Sequence, residues 1–202
     1  GLAAASGICS IIRNSHIVQK KNFSLLVTGA TGGVGSIACL LGKMLGWKVF
    51  AVTRNLKRNK LYLKSIGGKN IIESKKFISN PSMNLLTAEY NGVMECLGGV
   101  YLWNSVKRLK NNGVCAASGL IIGQDLSGLS VLPFLMRGVT LIGTGSEILD
   151  KKKKKEAFKL IGNLIQSGYL KKVRKIINFD KVHIKLKNWD KSRNRGRVII
   201  KN

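Results

Sequence analysis

The densest chemical signal in the chain is the segment Thr28-Gly-Ala-Thr-Gly-Gly-Val-Gly35. Glycine lets a backbone turn sharply and lie close to a charged ligand, because no Cβ stands in the way. With Ala30 in the first glycine slot the segment reads Ala30-x-Gly32-x-x-Gly35. At this spacing Gly32 admits a pyrophosphate and Gly35 lets a helix pack tightly on the preceding strand. Ala30, Thr31, Gly32, Gly33, Val34 and Gly35 are therefore the expected phosphate cradle. The free N–H groups and partial positive charge of the following helix would face the anion. A glycine pattern alone is weak, so its context decides. An apolar run at 24–28 leads into the glycines, and Val34, Ile37, Ala38, Leu41 and Leu45 then recur at helical spacing. That is the strand, loop and helix of a dinucleotide-binding unit.

The end of the next strand, expected at 49–53, selects between nicotinamide cofactors. An Asp or Glu there binds the ribose 2′-hydroxyl of NAD. A 2′-phosphate would be repelled by the acid and is met instead by Arg or Lys. The chain reads Thr53-Arg54-Asn55-Leu56-Lys57-Arg58, and the next acid is Glu73. Arg54 can offer a bidentate contact to a phosphate, with Thr53, Asn55 and Arg58 as further donors. NADP(H) is the expected cofactor.

Thr28-Gly29-x-x-x-Gly33-x-Gly35 also fits the glycine pattern of short-chain dehydrogenases, whose chemistry requires a Lys four residues after a Tyr. Tyr62, Tyr90, Tyr101 and Tyr169 are followed at that spacing by Ile66, Met94, Ser105 and Val173. None supplies the lysine. The cysteines Cys9, Cys39, Cys96 and Cys115 form no C-x-x-C pair, and the histidines are His16 and His183. No metal site is expected, and each Cys reads as a reduced core thiol of a cytoplasmic protein.

These residues need a scaffold. Strands are expected at 24–28, 49–53, 70–72, 92–96, 113–117 and 139–143, with helices at 34–45, 57–66, 100–109 and 151–167. Buried strands alternating with helices imply an α/β fold of Rossmann type, a doubly wound parallel sheet. The division expected is a cofactor domain at 1–168 and a C-terminal segment at 169–202. The latter ends in the strand-like run Arg197-Val-Ile-Ile-Lys201, with no further core to cover it.

With 202 residues and 45% hydrophobic side chains the chain can bury a core, which excludes wholesale disorder. The longest uncharged apolar stretches, 1–12 and 114–123, are shorter than the roughly 18 residues that span a bilayer, so no membrane partner is expected. Gly1 is not an initiator methionine, and the chain is expected to be part of a longer one. Lys and Arg total 35 against 9 acids, a net charge of +26, and 18 of the basic residues lie in 151–202. The run Lys151–Lys155 has no interleaved aromatics and no base-reading motif, so a solvated lysine face is favoured over a nucleic-acid site.

The residues also resemble a known family, the zinc-independent medium-chain dehydrogenase/reductases, and within it the acryloyl-CoA reductase branch of quinone-oxidoreductase-like proteins. The resemblance rests on Val27-Thr-Gly-Ala-Thr-Gly-Gly-Val-Gly-Ser36, Ala51-Val-Thr-Arg54, Tyr62-Leu-Lys-Ser-Ile-Gly67 and Leu97-Gly-Gly99. It continues through Leu132-Pro-Phe-Leu-Met-Arg-Gly-Val-Thr-Leu-Ile-Gly143 to Arg195-Gly-Arg-Val-Ile-Ile200. The resemblance implies an NADPH-dependent homodimer whose subunits add a GroES-like catalytic domain to the cofactor domain. The closing strand would return to that absent domain. Glu95 stands where an Asp is usual, and Ser118 where a Cys is common. The implied reaction is hydride transfer to the alkene of a small enoyl-CoA. A quinone or other enone is the alternative substrate, and a truncated cofactor-binding remnant without activity is a further alternative. Tyr62, Ser118, Gly119, Gly143 and Ser146 are implied neighbours of the cofactor, and no catalytic residue is assigned.

Overall fold

In the computed structural model, which describes residues 1–15, 22–78, 82–126, 128–187 and 194–201, six short apolar runs line up as one parallel sheet. The elements are α1 (Leu2–Asn14), β1 (Ser24–Val27), α2 (Gly33–Met44), β2 (Lys48–Thr53), α3 (Leu56–Ser65), β3 (Gly68–Glu73), α4 (Ser74–Phe77), β4 (Tyr90–Glu95), α5 (Gly99–Val106) and β5 (Leu109–Ala117), followed by α6 (Leu132–Arg137), β6 (Thr140–Gly143), α7 (Lys151–Gln166), β7 (Arg174–Asn178), α8 (Val182–Lys187) and β8 (Arg197–Lys201). The sheet order is β3-β2-β1-β4-β5-β6. Every pairing in it is parallel, with Val27 opposite both Ala51 and Met94. The winding reverses between β1 and β4, and the expected doubly wound Rossmann architecture is the one observed.

Both faces of the sheet are covered, which is why β1 and β4 are buried along their whole length instead of alternating. On one face Leu25, Val27 and Met94 pack with α1, α2 and α7 through Ile8, Leu40, Leu41 and Leu164. On the other, Leu26, Val93 and Cys115 pack with Phe77, Tyr101, Leu102 and Val106. Asn55 caps α3 by accepting from the Arg58 N–H, and Asp150 caps α7 by accepting from the Lys153 N–H.

Two expectations need correction, and one helix has no counterpart among them. The apolar stretch at 1–12 forms α1, buried from Ala4 to Ile11 between the sheet, α2 and α7, so it lacks the polar stripe by which a surface helix is read. The helix expected over 100–109 ends at Val106, and β5 begins at Leu109 instead of 113. Its first half carries exposed Asn111 and Asn112, the latter at φ 57°, which disguises it as a loop. The closing strand is not unpartnered, because β8 pairs in parallel with β7, Ile176 opposite Ile199. Ile176, Ile199 and Ile200 of this ribbon nevertheless remain about half exposed. His16 lies outside the described residues.

The helix α2 is pressed onto the loop that precedes it. A Cβ on Gly35 would lie 2.4 Å from the Gly29 carbonyl oxygen and 2.8 Å from the Ala30 Cα, both backbone atoms that cannot step aside. Gly35→Ala is therefore expected to cost about 1–3 kcal/mol by overpacking, a drop of several degrees in Tm measured by calorimetry. An unchanged Tm would show that the helix can lift off the loop freely.

Candidate functional site

All six strands point their C-terminal ends to the same edge, so the segments following β1, β2, β4, β5 and β6 gather there. After β1, Thr28 and Ala30 still hold the sheet, their N–H groups donating to the Met94 and Val52 carbonyls. The loop then folds on itself, with the Gly32 N–H donating to the Gly29 carbonyl at 2.9 Å. Gly29 takes φ +55°, a left-handed conformation that disfavours a side chain. Ser36 closes the first turn of α2, its hydroxyl donating to the Gly32 carbonyl at 2.6 Å. No side chain caps α2, so its first N–H groups remain available. A Cβ on Gly32 would meet only the Gly29 oxygen, at 3.3 Å, and would otherwise project outward. The Gly32 backbone is thus left open on its outer side. Ala30 is buried, whereas Thr31, Gly33 and Val34 reach the surface.

At the end of β2, Thr53 is buried and its hydroxyl oxygen accepts from Asn59 Nδ2 at 2.9 Å. Arg54, Asn55 and Arg58 are exposed, and no carboxylate forms an ion pair with either arginine among the described residues. Cations and an acid-free strand end therefore stand beside the glycine loop. Asn55 is partly committed, since its side-chain oxygen caps α3.

Glu95 occupies the point between β1 and β4 where the winding reverses. It is fully buried, and Thr28 Oγ1 and the Leu97 N–H donate to its Oε1 at 2.8 and 2.9 Å while the Gly98 N–H donates to Oε2 at 2.9 Å. The Thr28 hydroxyl in turn accepts from the Cys96 N–H at 2.8 Å. Burial raises the Glu95 pKa above its ordinary value, against the lowering by these donors. Here the longer side chain at position 95 spans from the end of β1 to the start of α5.

The remaining expected residues also reach this edge. The Ser118 N–H donates to the Glu95 carbonyl at 2.8 Å, and Gly119 lies so close to Cys96 that a Cβ would fall 2.1 Å from its carbonyl oxygen. Gly143 is exposed and Ser146 half-buried in the loop after β6. That loop is tied down by Thr144, whose N–H and hydroxyl both donate to the Ala117 carbonyl. Tyr62 is half-buried beneath the Arg195 guanidinium, 5.5 Å from ring centroid to Cζ.

The sequence gives Arg195 and Arg197 no site role, yet the structure brings Arg197 to the glycine loop and Arg195 to the first turns of α3. The Gly196 N–H donates to the Thr31 carbonyl at 2.9 Å, and the Arg197 side chain fills the space beside Gly33. Two arginines flanking a glycine were a visible signal, hidden by the distance in sequence to residues 31–33. Among the described residues no group of three or more His, Cys, Asp or Glu could hold a metal ion. Burial pushes the Cys39 thiol up to about 12, an unreactive core thiol.

The Glu95 network makes a pH prediction. A folded-state pKa raised above the ordinary 4.5 means the native state binds the proton more tightly than the unfolded chain. Its contribution to stability therefore falls as pH rises from about 4.5 through the folded value. In Glu95→Gln one acceptor oxygen becomes an NH2 facing an N–H donor, costing about 1–3 kcal/mol. Thermal melts should show lower stability for the variant, with the deficit largest at acid pH and shrinking as Glu95 ionises. A deficit independent of pH would show that Glu95 does not titrate in this window.

A family model described as zinc-binding dehydrogenase matches residues 33–163. The putative quinone oxidoreductase YhfP of Bacillus subtilis is 29% identical over 202 residues, 100% of this chain and 60% of that protein. Acrylyl-CoA reductase AcuI of Ruegeria pomeroyi is 36% identical over 122 residues, 60% of this chain and 36% of that protein. Among solved structures, YhdH of Escherichia coli K-12 with bound NADPH superposes with a TM-score of 0.88 at 27% identity, covering all of this chain and 60% of that one. Bacillus subtilis yhfP with NAD bound gives 0.89 at 28%, with the same coverage. The chain thus spans about 60% of the length of YhfP. On the match across most of its length, the chain belongs to the zinc-binding dehydrogenase family.

Proposed function

We propose that the chain is the cofactor-binding part of an NADPH-dependent reductase that acts on the alkene of a small enoyl-CoA. The observation that carries this reading is the open backbone at Gly32 beside an acid-free strand end bearing Arg54 and Arg58. The relatives named acrylyl-CoA reductase and the NADPH-bound relative support the substrate class and the cofactor. A quinone is the second substrate reading, favoured by the relative named for that activity.

The residues fit a dinucleotide. Gly32 would let the pyrophosphate lie against the backbone, the uncapped start of α2 would donate to it, and Arg197 would add a cation from beside Gly33. Arg54, Asn55 and Arg58 would read the 2′-position. Ser118, Gly119, Gly143 and Ser146 would border the nicotinamide end, held there by Glu95 and Thr144. When bound, the nicotinamide supplies a hydride for the β-carbon of the alkene, and a proton completes the addition at the α-carbon. The chain's own part is to fix the ring and keep water from it. Fluorescence titration with NADPH and NADH tests the reading. NADPH is expected to bind more tightly, and Arg54→Ala to cost about 1.5–3 kcal/mol for NADPH and little for NADH. Tighter NADH binding would overturn it.

We also propose a homodimer formed along β6. This strand closes the sheet and among the described residues is paired on one side only, and on the preceding helix Leu135 and Met136 are 73% and 67% exposed. An apolar edge of this kind favours pairing with a second copy. Leu141 packs against the core, so the informative substitution is at the exposed Thr140. Thr140→Lys, an edge charge, should yield monomers in light scattering with NADPH affinity kept, whereas a wild-type monomer at high concentration would refute the dimer.

A further inference from the structure

The groove beside the glycine loop has a wall from the far end of the chain. Gly196 takes φ +62°, and a Cβ there would lie 2.0 Å from the Val173 carbonyl oxygen, so the turn Arg195-Gly-Arg197 is wedged between the start of β7 and the loop at Thr31. From this turn Arg195 reaches over the first turns of α3. Its Nε donates to Asn59 Oδ1 at 3.0 Å and its Nη2 to the Arg58 carbonyl at 2.7 Å. The guanidinium is stacked above the Tyr62 ring. Asn59 then donates to Thr53 Oγ1 at 2.9 Å. Two hydrogen bonds therefore link Arg195 to the last residue of β2, the strand end where a 2′-substituent is read.

A guanidinium carries five N–H donors, of which these contacts use two. Among the described residues the other three have no acceptor and can meet an anion. Arg195 is half-buried and forms no ion pair with a carboxylate among the described residues. Held by its stacked ring and two acceptors, the fork is already oriented, so little side-chain entropy is lost on binding a phosphate. Arg54 and Arg58 are exposed on the same turn with no such support.

We propose that Arg195 is a specificity-determining residue that completes the 2′-phosphate subsite with Arg54 and Arg58, so that selection of NADPH is shared between the β2–α3 turn and the C-terminal segment. The proposal rests on the cofactor reading above. It differs from a purely structural staple, in which Arg195 would only fasten the C-terminal segment to α3. A staple would affect both dinucleotides equally. A phosphate contact acts only on the ligand that carries the 2′-phosphate.

The test is a binding comparison of wild type, Arg195→Gln and Arg195→Lys with NADPH, NADH and 2′,5′-ADP, alongside thermal melts. Arg195→Gln should weaken NADPH and 2′,5′-ADP at least tenfold and leave NADH within twofold. Arg195→Lys should recover part of the loss, since the charge returns without the fork. Equal weakening of NADPH and NADH, or undiminished NADPH and 2′,5′-ADP binding in Arg195→Gln, would overturn the proposal. A wild type that binds neither dinucleotide would overturn the cofactor reading as well. A wild-type preference for NADPH that survives in Arg195→Gln would overturn only the part assigned to Arg195.

Discussion

Between β1 and β4 the chain winds away in opposite directions, and the two sides of the crevice this opens at the C-terminal edge must be tied together. Glu95 does this. Its buried carboxylate accepts from Thr28, Leu97 and Gly98, tying the end of β1 to the start of α5. Burial raises the pKa of this carboxyl, and the three donors aimed at it work against that rise. The glycine loop begins at Thr28, which the Glu95 side chain holds, and the Ser118 N–H donates to the Glu95 backbone carbonyl, so side chain and main chain of this one residue reach both sides of the groove.

From that brace the site extends outward through backbone contacts more than side-chain ones. Gly35 fits α2 against Gly29, Gly119 fits against Cys96, and Thr144 fastens the loop after β6 to Ala117. The two glycine contacts are close approaches of main chain to main chain, which resist deformation because no rotamer can absorb a shift, and Thr144 adds a backbone N–H to its hydroxyl bond. The β7–β8 ribbon is different. It touches the groove through Arg195, Gly196 and Arg197, while much of its own apolar surface stays exposed. Its role at the glycine loop is thus local, and a ligand there would contact both ends of the chain.

Much of this was legible in the sequence. The sheet strands are short apolar runs, and the glycine segment follows one and opens a helix, so a doubly wound parallel sheet with a glycine loop between its first strand and the next helix could be read directly. The acid-free turn after Thr53 was equally plain. What escaped reading has physical reasons. The helix α1 is enclosed on several sides and shows no polar stripe. The polar start of β5 imitates a loop. The place of Arg195 beside Asn59 depends on contact across 136 positions. Glu95 departs from the family pattern in the sequence, but its three donors come together only when β1 lies next to β4.

The strong positive charge spreads differently from the site. Lys151, Lys152, Lys153 and Lys155 are exposed at the start of α7, a helix that anchors itself through Ala157 and Leu164. Against this background the central claim is that a phosphate-bearing dinucleotide lies across the glycine loop, the β2–α3 turn and the Arg195–Arg197 turn at once. Amide hydrogen exchange of the chain with and without NADPH tests this most directly. The account predicts slowed exchange in residues 29–35, 53–59 and 194–197 together, with 151–155 unchanged. Slowing confined to the lysine run, or none in the glycine loop, would contradict it.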